Sequence, residues 1–154
     1  MQILQATSPT DIATARTLFE EYAGALGVDL CFQGFAEELA QLPGSYAPPQ
    51  GRLLIAWVDD AAAGCVALRP FSESICEMKR LFVRPSFRGR GIGKELVDAI
   101  MREANQIGYK TMCLDTLPTL AAATQLYESV GFVRRTPYYE TPLVHTIFME
   151  RSLR

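Results

Sequence analysis

Met78-Lys79-Arg80-Leu81-Phe82-Val83-Arg84-Pro85, followed at once by Ser86-Phe87-Arg88-Gly89-Arg90-Gly91-Ile92-Gly93-Lys94, is the stretch on which the fold turns. Its first part reads as a strand broken by Pro85, and its second as a glycine-rich turn. From Lys94 to Ile107 an amphipathic helix follows, carrying Leu96, Val97, Ile100, Met101, Ala104 and Ile107 on one stripe and ending at Gly108. A glycine turn that opens a helix exposes several backbone N–H groups at the positive end of the helix dipole, which suits a phosphate or pyrophosphate. Gly89, Gly91 and Gly93 allow close backbone approach, while Arg88, Arg90 and Lys94 can add charge-assisted contacts. The bland alternative is a connection that does no more than start the helix. A dinucleotide fingerprint needs the spacing GxGxxG, and a P-loop needs Ser or Thr after its Lys, where Glu95 stands here, so both are disfavoured.

Working outward, Cys76 to Val83 reads as the last strand of a three-strand meander. Arg52 to Val58 precedes it, then a turn at Asp59-Asp60, then Ala63 to Pro70. Upstream, Met1 to Gln5 alternates like a strand. Ser8-Pro9-Thr10-Asp11 supplies an N-cap, a first-turn Pro and a first-turn acid to a helix carrying Ile12, Ala15, Leu18, Phe19, Tyr22 and Leu26. A shorter helix is expected from Phe35 to Leu42, stopped by Pro43-Gly44. Downstream, a strand from Tyr109 to Asp115, a helix from Thr119 to Val130, a strand from Phe132 to Arg135 and a last strand from His145 to Arg151 complete the order βααβββαβαββ. That order implies an α+β, three-layer α/β/α fold: a mixed, mostly antiparallel sheet of about six to seven strands flanked by helices, forming one domain over residues 1–154.

The composition permits this. At 154 residues roughly 70% of the unfolded surface can be buried, and a 49% hydrophobic with 21% charged balance is that of an ordinary globular chain. A formal net charge of −2 with no Lys/Arg run argues against nucleic acid or an anionic membrane as partner. Lys79, Arg80, Arg84, Arg88, Arg90 and Lys94 nevertheless cluster, which suits a small anionic ligand. Cys31, Cys65, Cys76 and Cys113 form no CxxC pair and adjoin no His, so reduced thiols in a cytoplasmic protein are expected and no metal site is implied. Met1 to Gln5 reads as a strand rather than a leader, so none is expected, and no apolar run reaches about 18 residues.

Arg88-x-x-Gly91-x-Gly93 resembles motif A of the GNAT superfamily of acetyl-CoA-dependent N-acetyltransferases, (Gln/Arg)-x-x-Gly-x-(Gly/Ala). Met78 to Pro85 looks like the family's fourth strand, and Ala123-x-x-Leu126-Tyr127-x-x-x-Gly131-Phe132 like its motif B, so the likeness spans nearly the whole chain. It implies acetyl-CoA as acetyl-donor cosubstrate, bound by Leu81, Phe82, Val83, Arg88, Gly89, Arg90, Gly91, Ile92, Gly93 and Lys94. It further implies that the fourth and fifth strands splay to hold the pantetheine arm. A backbone N–H at Leu81 or Val83, Leu81 first, would then meet the acetyl carbonyl. Losing a comparable oxyanion donor costs on the order of 3 kcal/mol.

By the same resemblance Tyr127 is the general acid that protonates the departing thiolate. A phenol near its reference pKa of about 10 holds that proton at neutral pH. An aromatic at helical spacing can equally be core. Glu77, four residues before Leu81, matches the place of the family's base glutamate. Strand alternation puts Glu77, Lys79, Leu81 and Val83 on one side, so Glu77 could instead be a structural ion-pair partner of Lys79 or Arg80. Asp115 ranks behind it, as a second acid or as a cap of the turn Thr116-Leu117-Pro118. Many family members carry Asn where Leu120 stands, which leaves room for an acyl-CoA-binding regulatory module without turnover. The acceptor implied is an amine of a small molecule or peptide. Phe32, Phe35, Tyr46, Tyr138 and Tyr139 could line its pocket, or else close a core or a homodimer face, and Arg69 could hold an acceptor carboxylate. His145, the one histidine, reads as structural.

Overall fold

The structure is a computed structural model and describes residues 1–153. The strands are β1 (Gln2–Gln5), β2 (Arg52–Val58), β3 (Ala61–Pro70), β4 (Ile75–Val83), β5 (Thr111–Thr116), β6 (Val133–Arg135) and β7 (Ile147–Ser152). The helices are α1 (Pro9–Leu26), α2 (Phe35–Gln41), α3 (Ile92–Ile107) and α4 (Ala121–Ser129). All seven strands lie in one sheet of order β1-β2-β3-β4-β5-β7-β6, in which β4 and β5 run parallel and the other neighbours antiparallel. This is the mixed α/β/α arrangement the sequence predicts. No helix among the described residues is long and apolar enough to cross a membrane.

Local chemistry explains the elements. Ser8 Oγ accepts the Asp11 N–H at 3.0 Å and the Asp11 carboxylate accepts the Ser8 N–H, a reciprocal cap that starts α1. Asp59 and Asp60 both take positive φ, 49° and 65°, the geometry of a two-residue hairpin turn. One sheet face buries Leu54, Ala56, Val66, Leu68 and Met112 against α3 and α4. The other buries Leu53, Ile55, Cys65, Ala67 and Phe82 against α1.

Side chains of β4 do not alternate as the sequence implies. Lys79 pairs with Ala67 and Phe82 with Cys65, so Val66 alone stands opposite Arg80 and Leu81. This is a β-bulge, with Arg80 at φ 63°. Glu77, Lys79 and Arg80 therefore face α1 and α2, while Leu81 and Val83 pack into the α3 side. The extra residue re-aims the strand, and the guanidinium it turns inward is held by two 2.9 Å bonds to the Glu38 carboxylate on α2.

Candidate active site

β4 and β5 share a ladder only at Ile75–Thr111, Cys76–Met112 and Glu77–Cys113. Beyond it β5 stays paired with β7 through Thr116, and the β4 edge from Met78 to Val83 has no strand beside it. A cavity of about 500 Å³ occupies the gap and passes through the sheet. On the α3 and α4 side its wall includes Leu81, Val83, Thr116, Leu126, Tyr127 and the glycine turn. On the α1 and α2 side it includes Tyr22, Leu30, Gln33, Lys79 and Asp115.

Gly89 and Gly91 hold φ of 80° and 77°, left-handed values that other residues rarely adopt. Gly91 caps α3, whose first backbone bond runs from the Glu95 N–H to the Gly91 carbonyl at 3.1 Å. The six amides from Gly89 to Lys94 consequently have no acceptor among the described residues. They stand at the positive end of a 16-residue helix. Arg88 lines the cavity and donates from Nε to the Val83 carbonyl at 3.0 Å. Arg90 lies over the Phe87 ring at 5.4 Å, and Lys94 pairs with Asp98 at 2.8 Å. Of the ten residues expected to hold the cofactor, eight line the cavity. Arg90 and Lys94 stand exposed beside it, Arg90 over the lining residue Phe87 and Lys94 turned away to Asp98.

Among the lining residues, Thr116 and Tyr127 each carry a hydroxyl with no hydrogen-bond partner among the described residues. Thr116 Oγ1 is buried, out of reach of the cavity that its residue helps to line. Tyr127 packs edge-on against Phe132, with ring centroids 5.8 Å apart, and its hydroxyl makes no hydrogen bond among the described residues. Burial raises the Tyr127 pKa, which keeps the phenol protonated.

The charged groups on the other side form one cluster. Glu77 accepts from Arg69 Nε at 2.9 Å and from the Tyr138 hydroxyl at 2.6 Å. Lys79 Nζ donates to Gln33 Oε1 at 3.2 Å and lies 3.6 Å from Asp115 and 3.9 Å from Glu77. Burial pulls the Lys79 pKa below its ordinary value, opposed by the Asp115 and Glu77 carboxylates. Asp115 accepts from the Tyr139 hydroxyl and lines the cavity, rather than capping the turn that follows it. Glu77, the expected base, is buried beside the cavity and is no part of its wall, since Arg69 and Tyr138 close over it.

Other expectations are revised. Arg69 is engaged by Glu77. Phe35 lies 5.1 Å from the Arg80 guanidinium, Tyr46 is buried edge-on to Phe19, and Tyr138 and Tyr139 cover the two carboxylates; none of the four lines the cavity. The side chain of Phe32 lies outside the described residues. His145 is exposed in the turn before β7. Tyr22 and Gln33, which do line the cavity, carry no sequence signal of it: one sits on the apolar stripe of α1 and the other in an aperiodic connection.

Residues 49–134 match the acetyltransferase (GNAT) domain. The chain belongs to the GNAT acetyltransferase family. A Schizosaccharomyces pombe protein named as an uncharacterized N-acetyltransferase is 43% identical to this GNAT chain over 147 residues, covering 94% of it and 90% of the relative. A GNAT acetyltransferase from Staphylococcus aureus superposes with a TM-score of 0.83 over 99% of both chains at 17% identity. A GNAT family acetyltransferase from Elizabethkingia anophelis, solved with acetyl-CoA bound, gives a TM-score of 0.62 at 22% identity over 75% of this chain and 82% of its own. This GNAT protein is thus an acyltransferase enzyme.

Proposed function

We propose that this acetyltransferase moves the acetyl group of acetyl-CoA directly to a primary amine, with the acceptor entering from the α1 and α2 side. The observation that carries the reading is the run of six unpartnered amides, Gly89 to Lys94, at the start of α3, opening into a cavity that pierces the sheet. The amides and Arg88 seat the pyrophosphate, with Arg90 and Lys94 adding field at the turn. The unpaired edge of β4 offers partners to the pantetheine arm. An N–H at Leu81 or Val83 meets the acetyl carbonyl and stabilises the charge that develops on its oxygen.

Acetyl-CoA supplies the activated thioester. Tyr127, protonated and facing the cavity, gives its hydroxyl proton to the leaving thiolate. Its free hydroxyl favours turnover over binding alone. Glu77, closed off by Arg69 and Tyr138, serves by seating Lys79.

Calorimetric titration with acetyl-CoA tests the reading, using the wild type and a Gly91→Glu, Gly93→Glu double variant whose folding is checked by circular dichroism. Binding by the wild type and none by the folded variant is expected. No binding by folded wild type overturns it.

A further inference from the structure

An acceptor amine reaches neutral water as an ammonium, which has no lone pair with which to attack. A group that takes a proton from it directly must touch the cavity. Two carboxylates face the acceptor side from neighbouring strands, and they differ in access. Glu77 is 3% exposed in its side chain, with Oε1 bound by Arg69 and Oε2 by Tyr138. Asp115 is 13% exposed and lies in the wall. Its Oδ2 takes the Tyr139 hydroxyl, while among the described residues Oδ1 has only the Lys79 ammonium at 3.6 Å, beyond a tight hydrogen bond. Oδ1 can accept a further donor.

Lys79 is fixed in turn by Gln33 at 3.2 Å and by Glu77 at 3.9 Å, so the ammonium that faces Asp115 is anchored from behind. Tyr127 stands at the opposite side of the sheet, on the face packed by α3 and α4. Acid and base are thereby separated across the thickness of the sheet, with the splay between them. That is the geometry of an attack from one face and a departure from the other.

We infer that Asp115 is the catalytic residue that receives the acceptor ammonium at Oδ1 and takes its proton, and that Lys79 is the positioning residue that holds this carboxylate at the cavity. The inference rests on the acetyl-transfer reading. The Asp115 carboxylate accepts one proton from R–NH3⁺. The freed lone pair forms the N–C bond to the acetyl carbon, and the C–S bond breaks with its electron pair going to sulfur. Tyr127 supplies the proton of the new thiol, the second amine proton returns the phenol to its neutral form by way of water, and Asp115 releases its proton to solvent. One proton leaves for each amide formed. The chamber walls Tyr22, Ala25, Leu26, Leu30 and Leu143 suit an amine carried on an apolar body.

The test compares thiol release from acetyl-CoA with two amines, phenethylamine, which is cationic at neutral pH, and hydroxylamine, which is already neutral and needs no base. In Asp115→Asn, phenethylamine turnover is expected to fall on the order of 100-fold while hydroxylamine turnover stays within about threefold of wild type, the signature of a lost base. Acetyl-CoA affinity, read by calorimetry, confirms that the variant is folded. Equal loss with both amines overturns the inference, because it marks general damage. So does phenethylamine turnover that survives in Asp115→Asn and disappears in Glu77→Gln. Release with neither amine by a wild type that binds acetyl-CoA overturns it as well. Failure to bind acetyl-CoA at all is a different result, which removes the acetyl-transfer reading itself.

Discussion

The two ends of β4 have the same backbone chemistry and opposite uses. Ile75 to Glu77 is flanked by β3 and β5, while Met78 to Val83 has only β3 for a neighbour. In the first part the ladders engage both edges of the backbone and Cys76 is sealed in the core, so the segment can only stabilise. In the second part the outer edge is unpaired, a bulge turns Arg80 inward, and the strand forms the wall of a cavity. The cavity wall begins at the residue where pairing stops.

Four substitutions would break or sharpen that contrast. Arg80→Ala removes one partner of a buried charge pair and leaves Glu38 uncompensated, so urea unfolding should show a loss of about 3–5 kcal/mol; a loss below about 1 kcal/mol would mean that the bulge is not braced by α2. In the paired part, Met112→Ala on β5 should cost about 2–5 kcal/mol through the cavity it leaves in the core. Acetyl-CoA affinity per folded molecule should not change, and an equal fall in affinity would erase the distinction between the two segments. Tyr127→Phe should leave the melting temperature where it was, since its hydroxyl has no partner among the described residues, yet slow thiol release on the order of 100-fold, equivalent to about 2.7 kcal/mol.

The smallest effect belongs to the exit of β4. Arg84 binds the Glu21 carboxylate through two bonds of 2.9 and 2.8 Å and the Ala62 carbonyl at 3.0 Å. The Arg84 hydrogen bond holds the Glu21 pKa below its usual value, so the pair's contribution is present above the ordinary glutamate pKa and is lost as pH falls through the folded value. Glu21 is exposed and Arg84 half-buried at the surface, so Glu21→Gln should cost less than about 1 kcal/mol near neutral pH. The stability curves of variant and wild type should converge in acid.

Much of this was written in local pattern. Apolar spacing, Ser8, Pro85, Gly108 and the Asp59-Asp60 pair announce their elements within a residue or two, and the glycine turn announces the free amides at the start of α3 because its chemistry is local. The bulge was not legible, since it depends on which β3 residue meets Arg80, and missing it put Leu81 and Val83 on the wrong face. Nor was the difference between Glu77 and Asp115. That difference is made by Tyr138 and Tyr139, which come from an aperiodic loop some distance along the chain and fold over one carboxylate completely and the other only in part.

The three-residue seam between β4 and β5 has a mechanical meaning. β1 to β4 form one half-sheet and β5 to β7 another, and the backbone rungs that join them are confined to one end. A ligand lying in the gap acts as a missing strand, riveting the open end of the two plates and damping their hinge. If the cosubstrate lies there as proposed, amide protons along Met78 to Val83 would exchange with solvent more slowly in the loaded protein than in the empty one, and it would be a structural member of the sheet for as long as it stays.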